Sequence, residues 1–166
     1  FLLRRQRQMC IRDSNNINNR PYNTIDGYRS TEMSFENING ELLCKDNQAL
    51  ECIIKTNSAG ALALSAEAVG IMQVCFDLTL DYLKTRKQFG KSIGAFQSIQ
   101  HRMVDMMLEI EQVRSAVMLA SSTFESNSTT RDKNVSAAKN LVGRVGKLIA
   151  EESIQLHGGI AMTWEY

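Results

Sequence analysis

The residues with the most chemistry to offer lie in one short run, YLKTRKQFGKSIGAFQSIQH, from Tyr82 to His101. Arg86, Lys87 and Lys91 bring cationic charge, Gln88 and Gln97 bring amides, and Phe89 brings a flat apolar ring. Gly90 and Gly94 let backbone N–H groups come close to a neighbour. A guanidinium is a planar fork that matches phosphate oxygens, and an amide both donates and accepts hydrogen bonds. The second helix, starting close by, would add its positive dipole end. Together these groups suit a pyrophosphate joined to a ring system, such as a dinucleotide. A charged, solvated turn between two helices is the plainer reading, and spacing alone favours it.

A second stretch, Gln155-Leu156-His157-Gly158-Gly159, places an amide and two permissive glycines at the end of another helical pattern. Backbone N–H groups after such a cap can form an anion-binding concavity, although a Gly-Gly pair is also how helices simply stop. The two histidines, His101 and His157, show no ligand spacing and read as polar helix-end residues, so no metal site is expected. Nor do the four cysteines, Cys10, Cys44, Cys52 and Cys75, suggest zinc or a disulfide framework; they read as reduced thiols.

Three long helices must position these groups. The second is the clearest: Phe96, Ile99, Met103, Met106, Ile110, Val113, Val117, Ala120 and Phe124 alternate threes and fours, an a/d seam for packing at about +20°. Met103, Met106, Met107 and Met118 are read as core rather than as a soft binding stripe. The first helix, from about residue 49, is apolar on most sides: Leu62, Ala66, Val69, Phe76, Leu80 and Leu83 on one, Ala63, Ile71, Met72 and Val74 on the other. That pattern reads as a buried helix, with Ala59 to Gly70 small enough to admit a close neighbour. SSTFESNSTTRD reads as a loop with an N-cap. The third helix follows with Val135, Ala138, Val142, Val145 and Ile149 inward, Gly143 and Gly146 for close contact, and Gly158 as a left-handed C-cap.

Upstream, residues 15–30 are polar with an Asp26-Gly27 turn signal. Residues 32–38 alternate as a half-buried strand, and Asn39-Gly40 turns. One or two strands do not make a stable sheet, so residues 15–48 read as the tail of a β domain. Residues 1–14 hold four arginines against one acid, do not begin with Met and make a poor signal peptide. They read as a non-native or disordered segment. The expected fold is therefore mainly α: an incomplete antiparallel four-helix bundle over residues 49–166, preceded by one or two residual β-strands, in a chain cut at both ends.

The chain has 166 residues, 43% of them apolar, with 19 basic and 18 acidic side chains. That balance gives no nucleic-acid footprint, and no uninterrupted apolar run approaches a membrane span of about 20 residues.

Three motifs in order, R-x-Q-F-G at Arg86 to Gly90, F-Q-x-x-Q-H at Phe96 to His101, and Q-x-x-G-G followed by T-x-E-Y at Gln155 to Tyr166, resemble the C-terminal helical domain of the flavin-dependent acyl-CoA dehydrogenases. PYNTIDGYRSTEMSFENI resembles the last β-domain strands of that family. The resemblance covers about residues 20–166 and leans toward bacterial small subunits of the pimeloyl-CoA dehydrogenase type. It implies α,β-dehydrogenation of an acyl-CoA thioester, FAD bound at a subunit interface, a homo- or hetero-oligomer, an electron-transferring flavoprotein as acceptor and a bacterial cytoplasmic setting. By resemblance Arg86, Lys87, Gln88 and Phe89 meet the adenosine-diphosphate part of a flavin held mainly by the partner chain. Phe96 and Gln97 supply a second contact, and Gln155, Gly158 and Gly159 close over it.

The catalytic base falls beyond Tyr166 in most of the family and near Ala59 to Ala61 in another branch, where this sequence has no carboxylate. Glu67 is the one weak candidate, expected to be buried or half-buried. Glu165 reads as structural. A partner subunit that lacks a base, or a helical interaction module without flavin, remains an alternative, and an oxidase is not separated from a dehydrogenase by this stretch.

Overall fold

The computed structural model describes residues 17–37 and 46–163. The first stretch is an antiparallel hairpin of β1 (Ile17–Asn23) and β2 (Arg29–Phe35), in register from Ile17 opposite Phe35 to Asn23 opposite Arg29. Its loop is closed by the Thr24 N–H on the Tyr28 carbonyl at 2.9 Å, with Gly27 at φ +81°. A hydrogen bond from the Thr24 hydroxyl, helped by the Tyr28 backbone N–H, holds the Asp26 carboxyl below its ordinary pKa. Tyr22, Met33 and Phe35 are exposed, so the hairpin has no core of its own. The expected turn at Asp26-Gly27 and strand near 32–38 are present, and β1 is an additional strand in the segment read as polar. The turn at Asn39-Gly40, the segment 1–14, Cys10, Cys44 and Glu165 lie outside the described residues.

Three antiparallel helices form the second compact unit: α1 (Asp46–Thr85), α2 (Gln97–Ser122) and α3 (Ser128–His157). The mainly helical, three-helix architecture agrees with the expectation. The α2 seam is buried as the spacing requires, from Met103 and Met106 through Ile110, Val113 and Val117 to Ala120, with Ile99 and Phe124 half-buried. On α3 Val135, Ala138, Val142, Val145 and Ile149 face the same core, joined by Leu156. Asn127 caps α3, its side-chain oxygen accepting the Thr130 N–H at 2.9 Å.

Several expectations need correction. The first helix is not buried all round. Its inward line is Ser65, Met72, Thr79 and Leu83, while Leu64, Ile71, Val74 and Leu78 are exposed. Two helices alone cover only a narrow stripe of a third. Of the four methionines expected in the core, Met107 and Met118 are exposed. A Cβ added at Gly60, Gly70, Gly143 or Gly146 would meet nothing within 4 Å, so none of these glycines serves a close contact among the described residues. By length and composition α1 could cross a membrane. Here its inward stripe packs on the other two helices, and Gln73 accepts a hydrogen bond from Arg114 of α2 at 2.7 Å.

Candidate functional site

Antiparallel order puts the end of α1, the start of α2 and the end of α3 at one end of the bundle. Between α1 and α2 the chain does not make a plain turn. It forms a small hairpin of β3 (Lys87–Gln88) and β4 (Lys91–Ser92), pairing Lys87 with Ser92 and Gln88 with Lys91. Phe89 (φ +53°) and Gly90 (φ +81°) occupy the two central positions. Positive φ at both is what a two-residue type I′ hairpin turn requires. Glycine adopts it freely, whereas phenylalanine is strained there. The Arg86 carbonyl accepts the Ile93 N–H at 2.9 Å, lengthening the ladder by one bond, and the Arg86 N–H donates to the Tyr82 carbonyl at 2.8 Å.

Arg86, Lys87, Gln88 and Phe89 are all exposed, Phe89 at 90%. Among the described residues Lys84, Arg86, Lys87 and Lys91 have no carboxylate partner. Phe96 is half-buried, meets Phe89 edge-to-face at 6.2 Å between ring centres, and carries the Lys91 Nζ over its own face at 4.1 Å. Gln97 opens α2 and is exposed.

Gly94 has a different role from the one its neighbourhood suggests. It sits in a 3₁₀ turn (Ile93–Ala95) against α1, where a Cβ would come 3.0 Å from the Leu83 carbonyl oxygen. The close approach is thus to Leu83, which is fully buried. Gln100 locks the same turn by donating to the Gly94 carbonyl at 3.0 Å.

The end of α3 supplies the second segment. Gly158 caps it at φ +70°, ψ −148°, its N–H donating back to Gln155 and Ile154. The positive φ agrees with the cap expected there, but the ψ lies outside the left-handed helical region and favours glycine still more strongly. Gln155, Gly158 and Gly159 are exposed, and the chain continues as a 3₁₀ turn, Gly158–Met162.

Sequence reasoning missed the link between the two segments. The rings of Tyr82 and His157 stack at 4.5 Å, 27° apart. Tyr82 stands four residues before Arg86 and His157 directly before Gly158. That placement was readable, but nothing in the spacing says the two rings meet. Arg102 of α2 also binds Glu152 of α3 at the same end, at 2.6 Å.

Glu67 is exposed on α1, which corrects the expectation of a buried or half-buried acid. A cleft of about 360 Å³ lies between α1 and α2, lined by residues such as Leu80, Leu83, Ile99 and Met103. None of the candidate site residues lines it. They lie outside it, all exposed except the half-buried Phe96.

Fold and corner together define a class: an antiparallel helical-bundle domain with a basic, hairpin-built end. The family model described as acyl-CoA dehydrogenase, C-terminal domain, matches residues 50–166, and the chain belongs to that family. Acyl-CoA dehydrogenase IpdE2 of Mycolicibacterium smegmatis is 36% identical over 106 residues, 64% of this chain and 32% of the relative. Butyryl-CoA dehydrogenase from Megasphaera elsdenii superimposes with a TM-score of 0.82 at 24% identity, covering 93% of this chain and 42% of that one, which is a likeness of fold. A structure titled as the FAD complex of PigA matches with a TM-score of 0.57 at 35% identity, over 61% of this chain and 26% of that one. The chain thus spans about a third of the length of the curated relative.

Proposed function

We propose that this chain is part of an FAD-dependent acyl-CoA dehydrogenase, with residues 15–48 ending its β domain and residues 49–166 supplying the helical domain. In this reading the end of the bundle is one lip of a dinucleotide site that a neighbouring subunit, like or unlike, completes. Arg86 and Lys87 would bind the diphosphate, Gln88, Gln97 and Gln155 would hydrogen-bond around it, and Phe89 and Phe96 would offer ring surface. Gly158 and Gly159 would let the backbone close in. One observation carries the reading: an exposed guanidinium without a carboxylate partner among the described residues, on a hairpin tied to the glycine cap of α3.

Flavin, when bound, supplies a hydride acceptor for α,β-dehydrogenation of an acyl-CoA thioester. This chain's residues bind and orient it, and a separate electron-transferring flavoprotein of the bacterial cytoplasm would take the electrons onward. Glu67, exposed on α1, is assigned no role as base. The carboxylate that takes the α-proton is assigned outside the described residues. A base-free partner subunit of a heteromeric enzyme is the second reading, distinguished from the first by the lack of a carboxylate near the flavin ring in the full-length protein.

The test is Arg86→Ala in the full-length, assembled protein, with FAD affinity measured by reconstitution of the apoprotein. Loss of charge-assisted bonds worth about 1.5–3 kcal/mol corresponds to roughly ten- to hundred-fold weaker binding. Unchanged affinity would overturn the assignment, and so would a stoichiometric flavoprotein purified from the 166-residue chain alone.

A further inference from the structure

Tyr82 and His157 lie within the two segments but are not among the groups assigned to the dinucleotide; Tyr82 stands four residues before Arg86 and His157 one before Gly158. Tyr82 accepts the Arg86 N–H at 2.8 Å, which fixes where the hairpin leaves α1. His157 precedes Gly158, whose backbone angles fix where the chain leaves α3. Both rings are half-buried at the edge of the core, next in sequence to the buried Leu83 and Leu156. The imidazole is also held by its own helix, with Nδ1 2.7 Å from the Ser153 carbonyl oxygen. A carbonyl can only accept, so Nδ1 carries the proton and the ring's orientation is set. Stacked at 4.5 Å, the two rings join the hairpin to the α3 cap.

We propose that Tyr82 and His157 are a positioning pair that sets the spacing between Arg86 and the Gly158–Gly159 backbone, and through it the affinity for the diphosphate of a dinucleotide. The proposal rests on the reading of this end as a dinucleotide lip. In this proposal the pair acts by pre-organising Arg86 and the glycine backbone rather than by contacting the dinucleotide itself. The Arg102–Glu152 ion pair binds α2 to α3 at the same end. It leaves the exit of α1 to be held by other contacts, and the ring stack is one of these.

Four variants of the full-length, assembled protein test this: His157→Ala, His157→Phe, Tyr82→Leu and Arg86→Ala. Each is measured for FAD affinity after reconstitution and for melting temperature as apoprotein. A stacked pair is worth a modest amount beyond its buried area, so His157→Ala and Tyr82→Leu should weaken FAD binding by roughly two- to ten-fold. The apoprotein melting temperature should move little. His157→Phe keeps a ring and should restore affinity to within about two-fold of the parent.

If Arg86→Ala weakens binding while His157→Ala and Tyr82→Leu do not, the positioning role is overturned and the dinucleotide reading stands. If none of the three weakens it, the dinucleotide reading itself fails, and the positioning role with it. If His157→Ala does not fold, Tyr82→Leu decides by the same criterion. Failure of His157→Phe to restore affinity also overturns the stacking role.

Discussion

Gly94 and Gly143 make a matched pair of tests, because the same substitution should have opposite signs at the two sites. At Gly94 the backbone is in a range that any residue adopts, so only space matters. An alanine Cβ would lie 3.0 Å from the Leu83 carbonyl oxygen, 3.3 Å from its carbon and 3.5 Å from the Leu83 Cβ. These are backbone and core atoms, and Leu83 is 1% exposed, so the neighbour has little room to yield. Overpacking of this kind costs about 1–3 kcal/mol. Restricting the unfolded chain returns about 0.4–1 kcal/mol. Gly94→Ala should therefore destabilise by roughly 0.5–2 kcal/mol.

Gly143 lies inside α3, and a Cβ there meets nothing within 4 Å. Gly143→Ala should stabilise by about 0.5–1 kcal/mol through helix propensity alone. Urea denaturation of the chain followed by circular dichroism measures both, and the two unfolding free energies should differ by roughly 1–3 kcal/mol. A Gly94→Ala chain as stable as the Gly143→Ala chain would refute the claim that Gly94 exists for contact with Leu83. The consequence reaches the site: an α2 start pushed off α1 carries Phe96 and Gln97 with it.

Two further outcomes follow from strain and from charge. Phe89→Asn should raise stability by up to about 1 kcal/mol, since asparagine accepts the positive φ of a type I′ turn better. FAD affinity of the assembled protein should fall at the same time; a fall in both would show that the ring is structural. Asp132 is held below its ordinary pKa of 3.8 by the Arg131 side chain and then by the Ser58 hydroxyl, which donates to it at 2.9 Å. A carboxylate with a depressed folded-state pKa contributes stability above its unfolded value and loses it as pH falls through the folded value. Asp132→Asn should thus lower stability at neutral pH and flatten the acid limb of a stability-versus-pH curve below about pH 4. An acid limb as steep as the parent's would show that the group does not contribute.

How much of this was legible depends on what each element buries. The α2 seam could be read because its inward residues are apolar and its period is regular, with Met103, Met106, Ile110 and Val113 all inward. On α1 the apolar residues outnumber those that two neighbours can cover, and the inward line is one residue away from an equally good apolar line. Ser65, Met72 and Thr79 point in, and Leu64, Ile71 and Leu78 point out. The hydroxyls hide in the seam because each bonds its own helix, Ser65 to the Ala61 carbonyl and Thr79 to the Cys75 carbonyl, both at 2.7 Å. A back-bonded hydroxyl can be buried without a partner from another element. The small hairpin escaped for the opposite reason. Phe-Gly is not the Asn-Gly pair that announces a type I′ turn, yet Phe89 stands at φ +53°. Of the candidate site, the residue types were readable; their meeting was not, because it depends on a ring stack between residues 75 positions apart.

The basic character of the hairpin follows from the topology of the bundle. Three antiparallel helices bring two carboxyl ends and one amino end to the same place. Taking about half a charge for each helix terminus, the sum there is near −0.5, which repels a phosphate. The positive end of α2 offsets only one of the two negative ends. An anion can be held at this end only if side chains reverse the sign. Lys84, Arg86, Lys87 and Lys91 do so within eight residues, with Asp81 the nearest acid in the sequence. A turn built only to connect α1 to α2 would gain little from this, since two cations in the last turn satisfy a helix's carboxyl end. In the proposed function, this surplus of charge on the hairpin is what would separate an anion-binding lip from a solvated connection.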